Sequence, residues 1–233
     1  MINASQSEIT ERSCCIVPIY NEAPVIFECI SNLKTVFTNI LCVDDGSTDN
    51  CGMIAEKAGA IVIRHPLNIG QGAAIATGIF WVLNQYKFKN IVTFDGDGQH
   101  RPKDALRLVK ELEKNDLDIV FGSRFLDHNK YNIPSIKRRL LRLAAVATRI
   151  LTGISLSDAH NGLRAFTAQA ARQLSISQRG MAHASQIVNL VKTEKLKYHE
   201  IPVTVLYTDY SRKKGQSILN SINIIFDLVW GDS

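Results

Sequence analysis

An apolar run, IVTF, ends at residue 94, and Asp95, Gly96 and Asp97 follow it at once. Two carboxylates one residue apart, at the end of a buried strand, can share a hard divalent cation. Mg²⁺ or Mn²⁺ held there would bridge two phosphates of a ligand and draw off charge building on a departing diphosphate. Gly96 and Gly98 remove side chains where backbone and phosphates must come close. Gln99 and His100 stand near enough to complete the ion's shell. An Asp-x-Asp alone is weak evidence, because Asp-Gly pairs also mark solvated turns. Its weight comes from a second acidic group, DDGSTD at 44–49, which closes another apolar run. Within that group Asp45 suits a ribose hydroxyl or a base imino group. Ser47 suits the cap of the next helix.

Other phosphate-binding signatures fail. NIGQG at 68–72 opens a helical stretch, but the third glycine of G-x-G-x-x-G would fall at Ile75. No G-x-x-x-x-G-K-[ST] occurs either, so nicotinamide and P-loop chemistry are disfavoured. The five cysteines, Cys14, Cys15, Cys29, Cys42 and Cys51, are odd in number and show no metal spacing. They read as buried reduced thiols of a cytosolic protein. A net charge of +5 suits phosphates, acidic substrates or an anionic membrane surface. The basic residues are spread along the chain without interleaved aromatics, so nucleic acid is not expected as a partner.

The elements that position these groups alternate regularly through the first half. Apolar runs at 14–20, 40–43, 60–64, 91–94 and 118–122 read as strands. Helical patterns lie between them at 23–36, 48–59, 72–86 and 102–115, with Gly59 suited to end one and Pro102 to begin another. Continuous apolar strands separated by helices predict a mostly parallel sheet covered on both faces. Ligands of such sheets sit beyond the carboxyl ends of the strands. Tyr20–Asn21–Glu22, Asp44–Asp45, Asp95–Asp97 and Ser123–Arg124 all fall there. The second half is less regular. It predicts helices at 136–151, 168–174, 182–195 and 218–230, an extended piece at 162–166 and a strand at 201–207. With 233 residues and no linker or repeat, residues 1–233 read as one domain with a flexible N-terminus at 1–13 and an apolar C-terminal helix at 216–230.

Seven motifs occur in order: IVPIYNE (16–22), VDDGSTD (43–49), NIGQGAA (68–74), DGDGQH (95–100), GSRF (122–125), DAHNGLRAF (158–166) and EIPVTVLY (200–207). Together they resemble the family 2 inverting glycosyltransferases, and within them the dolichol-phosphate and polyprenyl-phosphate mannosyl- or glucosyltransferases. The resemblance spans about residues 14–225. It implies an α/β chain with the nucleotide-diphospho-sugar transferase (A-type glycosyltransferase) fold. It also implies transfer of a hexose from a UDP- or GDP-sugar to a polyprenyl-phosphate, or to a glycan or lipid-linked acceptor, in cell-surface polysaccharide synthesis.

By motif, the resemblance assigns Pro18, Tyr20, Glu22, Val43, Asp45, Asp95, Gly96, Arg124 and Arg212 to the donor. Asp95, Asp97 and Gln99 go to Mg²⁺ or Mn²⁺ and the diphosphate. Lys137, Arg138, Arg139 and Arg164 go to the acceptor. Attack comes opposite the leaving diphosphate, with inversion. A lipid phosphate is already anionic and needs no base, whereas a sugar hydroxyl needs a carboxylate to take its proton. Asp158 is the candidate for that role or for orienting the acceptor; the plainer alternatives are a helix cap or a partner of Arg164. Two positions depart from the family's pattern: Gln186 stands where a glutamate is common, and Ile218 where a lysine is.

No run of about 18 apolar residues is present, so no membrane-spanning helix is expected. The last stretch, with Trp230, suits either an interfacial helix or packing on the core or on a second subunit of a homo-oligomer. The expected location is cytoplasmic, with peripheral contact at the inner face of the membrane. Two rival readings are weighed. A sugar-phosphate nucleotidyltransferase would carry a glycine-rich basic loop where Tyr20–Asn21–Glu22 stands. A non-catalytic nucleotide-sugar-binding regulator is supported only by Gln186.

Overall fold

A computed structural model describes residues 4–126, 149, 153–174, 183–206 and 210. The chain opens with helix α1 (Ala4–Glu11), then strand β1 (Ser13–Ile19), α2 (Ala23–Lys34), β2 (Asn39–Asp44), α3 (Cys51–Lys57), β3 (Ile61–Arg64) and α4 (Gln71–Asn84). It continues with β4 (Asn90–Thr93), α5 (Pro102–Lys114), β5 (Ile119–Ser123), β6 (Arg164–Thr167), α6 (Ala168–Gln173), α7 (His183–Thr193) and β7 (Tyr198–Pro202).

The seven strands form one sheet in the order β3-β2-β1-β4-β6-β5-β7. β6 runs antiparallel to both of its neighbours, and the other adjacent pairs are parallel. β1, β4 and β5 are buried at every position, which is why they read as unbroken apolar runs. One face packs on α2, α3 and α5 through Ile26, Ile30, Ala55, Leu108 and Leu112. The other packs on α4, α6 and α7 through Ile75, Ile79, Ala170, Ile187 and Val191. Burying each isoleucine, leucine or valine of these layers contributes about 1.5–3 kcal/mol, so the two layers hold the sheet from both sides. None of the five buried cysteines is in a disulfide.

Several expectations shift. Within residues 1–13 the chain forms α1, and Arg12 behind it grips both oxygens of Glu113 at 3.0 and 2.7 Å. The extended piece expected at 162–166 is β6, inserted antiparallel between β4 and β5. The last strand lies at 198–202 rather than 201–207. Beyond it the chain leaves the sheet: Thr204 N–H donates to Asp104 Oδ2 (2.9 Å) and Leu206 N–H to Gln99 O (2.8 Å). Ser47 does not cap α3, which begins at Cys51 behind a left-handed Asn50; Asp49 Oδ1 accepts the Cys51 N–H instead (3.1 Å). The helices expected at 136–151 and 218–230 lie outside the described residues, apart from the helical Arg149.

Candidate active site

The ends of β1 and β2 are stitched into one rim. Asn21, in the left-handed region at φ 55°, donates its N–H to Ser47 Oγ (3.1 Å) and accepts the Thr48 N–H on Oδ1 (2.9 Å). Asp49 Oδ2 accepts the first N–H of α2, from Ala23, at 2.8 Å. Burial works to raise the Asp49 carboxyl, but these backbone donors outweigh it and hold it below its ordinary value. Tyr20 projects from the rim, 42% exposed, while Glu22 is buried and accepts the Tyr210 hydroxyl on Oε2 at 2.8 Å. Pro18 and Val43, assigned to the donor by motif, are register partners buried inside the sheet. They support the rim from below.

Asp45 organises the next loop. Its Oδ1 meets His65 Nδ1 at 2.8 Å and accepts the Ile69 N–H at 3.1 Å; its Oδ2 accepts the Gly70 N–H at 2.7 Å. His65 Nε2 in turn meets Thr77 Oγ1 on α4 at 3.0 Å. The expected ligand-facing acid is therefore also the anchor of residues 65–70. His65 went unnoticed in the sequence, although a polar residue directly after β3 sits where strand-end chemistry is expected.

Asp95 and Asp97 close β4 as the spacing predicts. Asp95 Oδ1 accepts from Gln71 Nε2 (3.0 Å), and Oδ2 meets His100 Nε2 (3.1 Å). Gln71, at the start of α4, is another partner missing from the sequence reading. Gly96 is required by close approach: a Cβ there would stand 2.7 Å from Ile19 Cγ2. Asp97 Oδ1 accepts the Gln99 N–H (3.0 Å), and Gln99 Nε2 donates to Asp97 Oδ2 (2.5 Å). Gln99, expected as a metal ligand, is here a donor that orients Asp97. Burial and then the charge of Asp95 push the Asp97 carboxyl upward, against a weaker pull from His100 and the Gln99 N–H. A buried carboxylate raised by its acidic neighbour in this way matches a site for a cation. Among the described residues no three His, Cys, Asp or Glu side chains surround one point. One or two carboxylates suit Mg²⁺ or Mn²⁺ sharing the oxygens of a bound diphosphate, and do not make an all-protein cage.

Across the sheet, β5 ends in Ser123 and Arg124. Arg124 donates from Nε to Asp158 Oδ2 (2.6 Å) and from NH2 to Asp158 Oδ1 (2.7 Å), and its N–H also reaches Oδ2 (2.9 Å). Asp158 is 2% exposed. Burial would raise its carboxyl, but the charge and hydrogen bonds of Arg124 hold it below the ordinary 3.8. Of the roles expected for Asp158, the geometry shows its contact partner: Arg124, not Arg164. Glu200 of β7 fixes the turn from beneath, accepting the N–H groups of Ser157 and Asp158 at 2.8–3.0 Å. Arg164, expected at the acceptor, is 1% exposed and sealed in the sheet, so it touches no acceptor in this arrangement. Lys137, Arg138, Arg139 and Arg212 lie outside the described residues; Gln186 lies half-buried on α7.

A mostly parallel sheet that carries an Asp-x-Asp pair at one strand end and a bound arginine at another defines an A-type glycosyltransferase. The glucosyl-3-phosphoglycerate synthase of Mycobacterium tuberculosis, solved with Mn²⁺, UDP-glucose and phosphoglyceric acid, superposes with a TM-score of 0.67 at 16% identity, over 98% of this chain and 83% of that one. At that identity the likeness concerns the fold. The chain belongs to glycosyl transferase family 2, whose profile matches residues 14–175. A UDP-N-acetylglucosamine–dolichyl-phosphate N-acetylglucosaminyltransferase of Methanococcus voltae is 30% identical over 92% of this chain and 93% of its own. An uncharacterized protein of Methanocaldococcus jannaschii is 39% identical over 92% and 89%. The protein is a glycosyltransferase, most similar to the polyprenyl-phosphate branch.

Proposed function

We propose that the protein transfers a sugar from a nucleotide-diphosphate donor to a polyprenyl phosphate, with inversion at the anomeric carbon. The observation that carries this reading is the Arg124–Asp158 contact. The acid considered as a base for a hydroxyl acceptor is consumed by an arginine. A nucleophile reaching that side then has to arrive already charged, and a phosphate oxygen does. The Methanococcus voltae relative is named for a dolichyl-phosphate acceptor, which supports the same reading.

In this mechanism the rim of Tyr20, Glu22 and Asp45 holds the nucleotide, and the loop anchored at Asp45 closes its side. Asp95 and Asp97 would hold Mg²⁺ or Mn²⁺ together with the donor diphosphate. When bound, the ion stabilises negative charge on the departing diphosphate. The acceptor phosphate oxygen forms a bond to the anomeric carbon. The bond to the diphosphate breaks on the opposite face, and its electron pair leaves with the nucleoside diphosphate; no proton is transferred. Asp158 fixes the direction of the Arg124 guanidinium, whose charge faces the acceptor phosphate in this reading. Lys137, Arg138, Arg139 and Arg212 join it in this reading. A lipid acceptor places the enzyme at a membrane surface, by peripheral contact. Among the described residues no helix is long and apolar enough to cross a membrane.

The test incubates UDP- and GDP-sugars with Mn²⁺ and either a polyprenyl phosphate or the matching polyprenol. The reading expects nucleoside diphosphate release that requires the phosphate-bearing lipid and stops in EDTA. Transfer to the free alcohol at a comparable rate overturns it.

A further inference from the structure

Arg164 is the largest side chain sealed in the core, and it is 1% exposed. It opens β6, the strand inserted between β4 and β5, and stands opposite Thr93 on one side and Phe121 on the other. Its NH2 donates to Ala159 O at 3.2 Å, while Nε and NH1 have no hydrogen-bond partner. The guanidinium carbon lies 5.9 Å from the centre of the Phe121 ring. Among the described residues it forms no ion pair within contact distance. A buried cation with so few partners is a standing cost to the fold.

What surrounds it gives that cost a purpose. Asp95 and Asp158 both act on Arg164 through their charges, one from the donor side and one from the acceptor side. The turn between them is packed tightly: a side chain at Gly162 would collide with the Asp95 carboxylate, and Thr93 Oγ1 donates to Gly162 O at 2.7 Å. Asn161 Nδ2 donates to Asp158 Oδ2 at 3.3 Å. Residues 158–162 thus pack the turn of the buried Asp158 against the loop of the partly exposed Asp95, and Arg164, which donates to Ala159 O, is the charge at the base of that turn.

We propose that Arg164 is a positioning residue, the shared counter-charge that holds the Asp95 loop and the Asp158–Arg124 pair in one fixed arrangement. It touches neither substrate. It acts as a buried cation behind both acids, the sealed Asp158 and the partly exposed Asp95, so that a donor held by Asp95 and an acceptor met by Arg124 keep their mutual distance. The inference rests on the donor and acceptor sides assigned above. It gives the antiparallel strand a function: β6 delivers a cation from beneath, between the acid-bearing end of β4 and the turn that holds Asp158 against Arg124 at the end of β5.

The test measures Mn²⁺ binding by the loss of free-ion electron paramagnetic resonance signal, with UDP and with GDP, for the wild type, Arg164→Lys and Arg164→Met. Arg164→Met is expected to weaken Mn²⁺–nucleotide binding by roughly tenfold or more, as removal of outer partners of a metal site does. It should raise the acceptor KM as well, while Arg164→Lys retains most of both. Equal behaviour of the Lys and Met variants, or an unchanged affinity in a folded Arg164→Met protein, overturns the proposal. If Arg164→Met does not fold, Asp158→Asn with Arg164→Gln removes one charge of each sign. That pair should still lose Mn²⁺–nucleotide affinity by roughly tenfold relative to Asp158→Asn alone, and equality overturns the proposal there too. Failure of the wild type to bind Mn²⁺ with either nucleotide refutes the donor-site reading instead, and the inference falls with it.

Discussion

Arg124 and Asp158, 34 positions apart in the chain, meet through two parallel contacts of 2.6 and 2.7 Å. The fork of the guanidinium matches both carboxylate oxygens, a geometry that adds orientation as well as energy. Asp158 is held in turn by Asn161 and by its own N–H on Glu200 (3.0 Å). An arginine at the end of β5 is therefore fixed in direction before any acceptor arrives.

Breaking this pair from one side leaves a buried charge without its partner, which costs on the order of 3–5 kcal/mol. Asp158→Asn and Arg124→Gln should each lower stability, and the double variant should be much less than the sum. Urea denaturation of all four proteins should give a coupling energy of about 0.5–3 kcal/mol. Additive losses would show that the two side chains act independently.

The same pair should make stability depend on pH in acid. The Asp158 carboxyl is lower in the folded protein than its ordinary 3.8, so the unfolded chain binds that proton more readily. Its contribution is complete above 3.8 and disappears as pH falls through the lower folded value. The stability gap between wild type and Asp158→Asn should narrow over that interval. Glu200 has the opposite sign, because burial raises it above its ordinary 4.5. Its contribution is present in acid and lost as pH rises through the raised folded value. Glu200→Gln, which retains an oxygen for the Ser157 and Asp158 N–H groups, should gain on wild type as pH climbs from acid to neutral. Urea midpoints across that range test both signs.

The sheet was legible where both faces are covered. β1, β4 and β5 are unbroken apolar runs because every position is buried. The direction of β6 was not legible, since four residues carry no signal of which neighbours they will join. Tyr198–Glu200 escaped notice for a related reason: β7 is an edge strand that buries Ile201 and leaves His199 exposed. α1 has a polar sequence with little amphipathic pattern, and it is fixed by Arg12 meeting Glu113, a pairing 101 residues apart. The Asp-x-Asp pair was legible because spacing and strand end coincide in sequence. The partner of Asp158 was not, because two arginines were available and only tertiary structure sends Arg164 inward.

Asp97→Asn offers a test of the metal assignment that does not depend on turnover. The wild-type carboxyl is raised by burial and by Asp95, so its charged form strains the ligand-free protein at neutral pH. Removing that charge should raise the melting temperature without ligand. The same variant should lose the thermal shift that UDP or GDP produces with Mn²⁺, a shift expected from binding to the native state alone. EDTA should remove it from the wild type. A shift that persists in EDTA, or in Asp97→Asn with Mn²⁺, would remove the ion from the site.

His65 separates donor binding from acceptor binding. It bridges Asp45 (2.8 Å) and Thr77 (3.0 Å), and Asp45 in turn accepts the Ile69 and Gly70 N–H groups that shape the loop beside the nucleotide rim. Hydrogen bonds to a charged group contribute about 1.5–3 kcal/mol, so His65→Phe, which fills the space and makes neither bond, should loosen that loop. The donor KM should rise by roughly tenfold or more, the equivalent of about 1.4 kcal/mol. The acceptor KM should hardly change, because the Arg124–Asp158 pair lies beyond β4 and β6 and shares no hydrogen bond with His65. Steady-state kinetics with each substrate varied in turn read the two constants separately. An equal rise in both would mean that His65 supports the whole fold rather than the donor loop, and no rise in either would mean that Asp45 holds residues 65–70 without it.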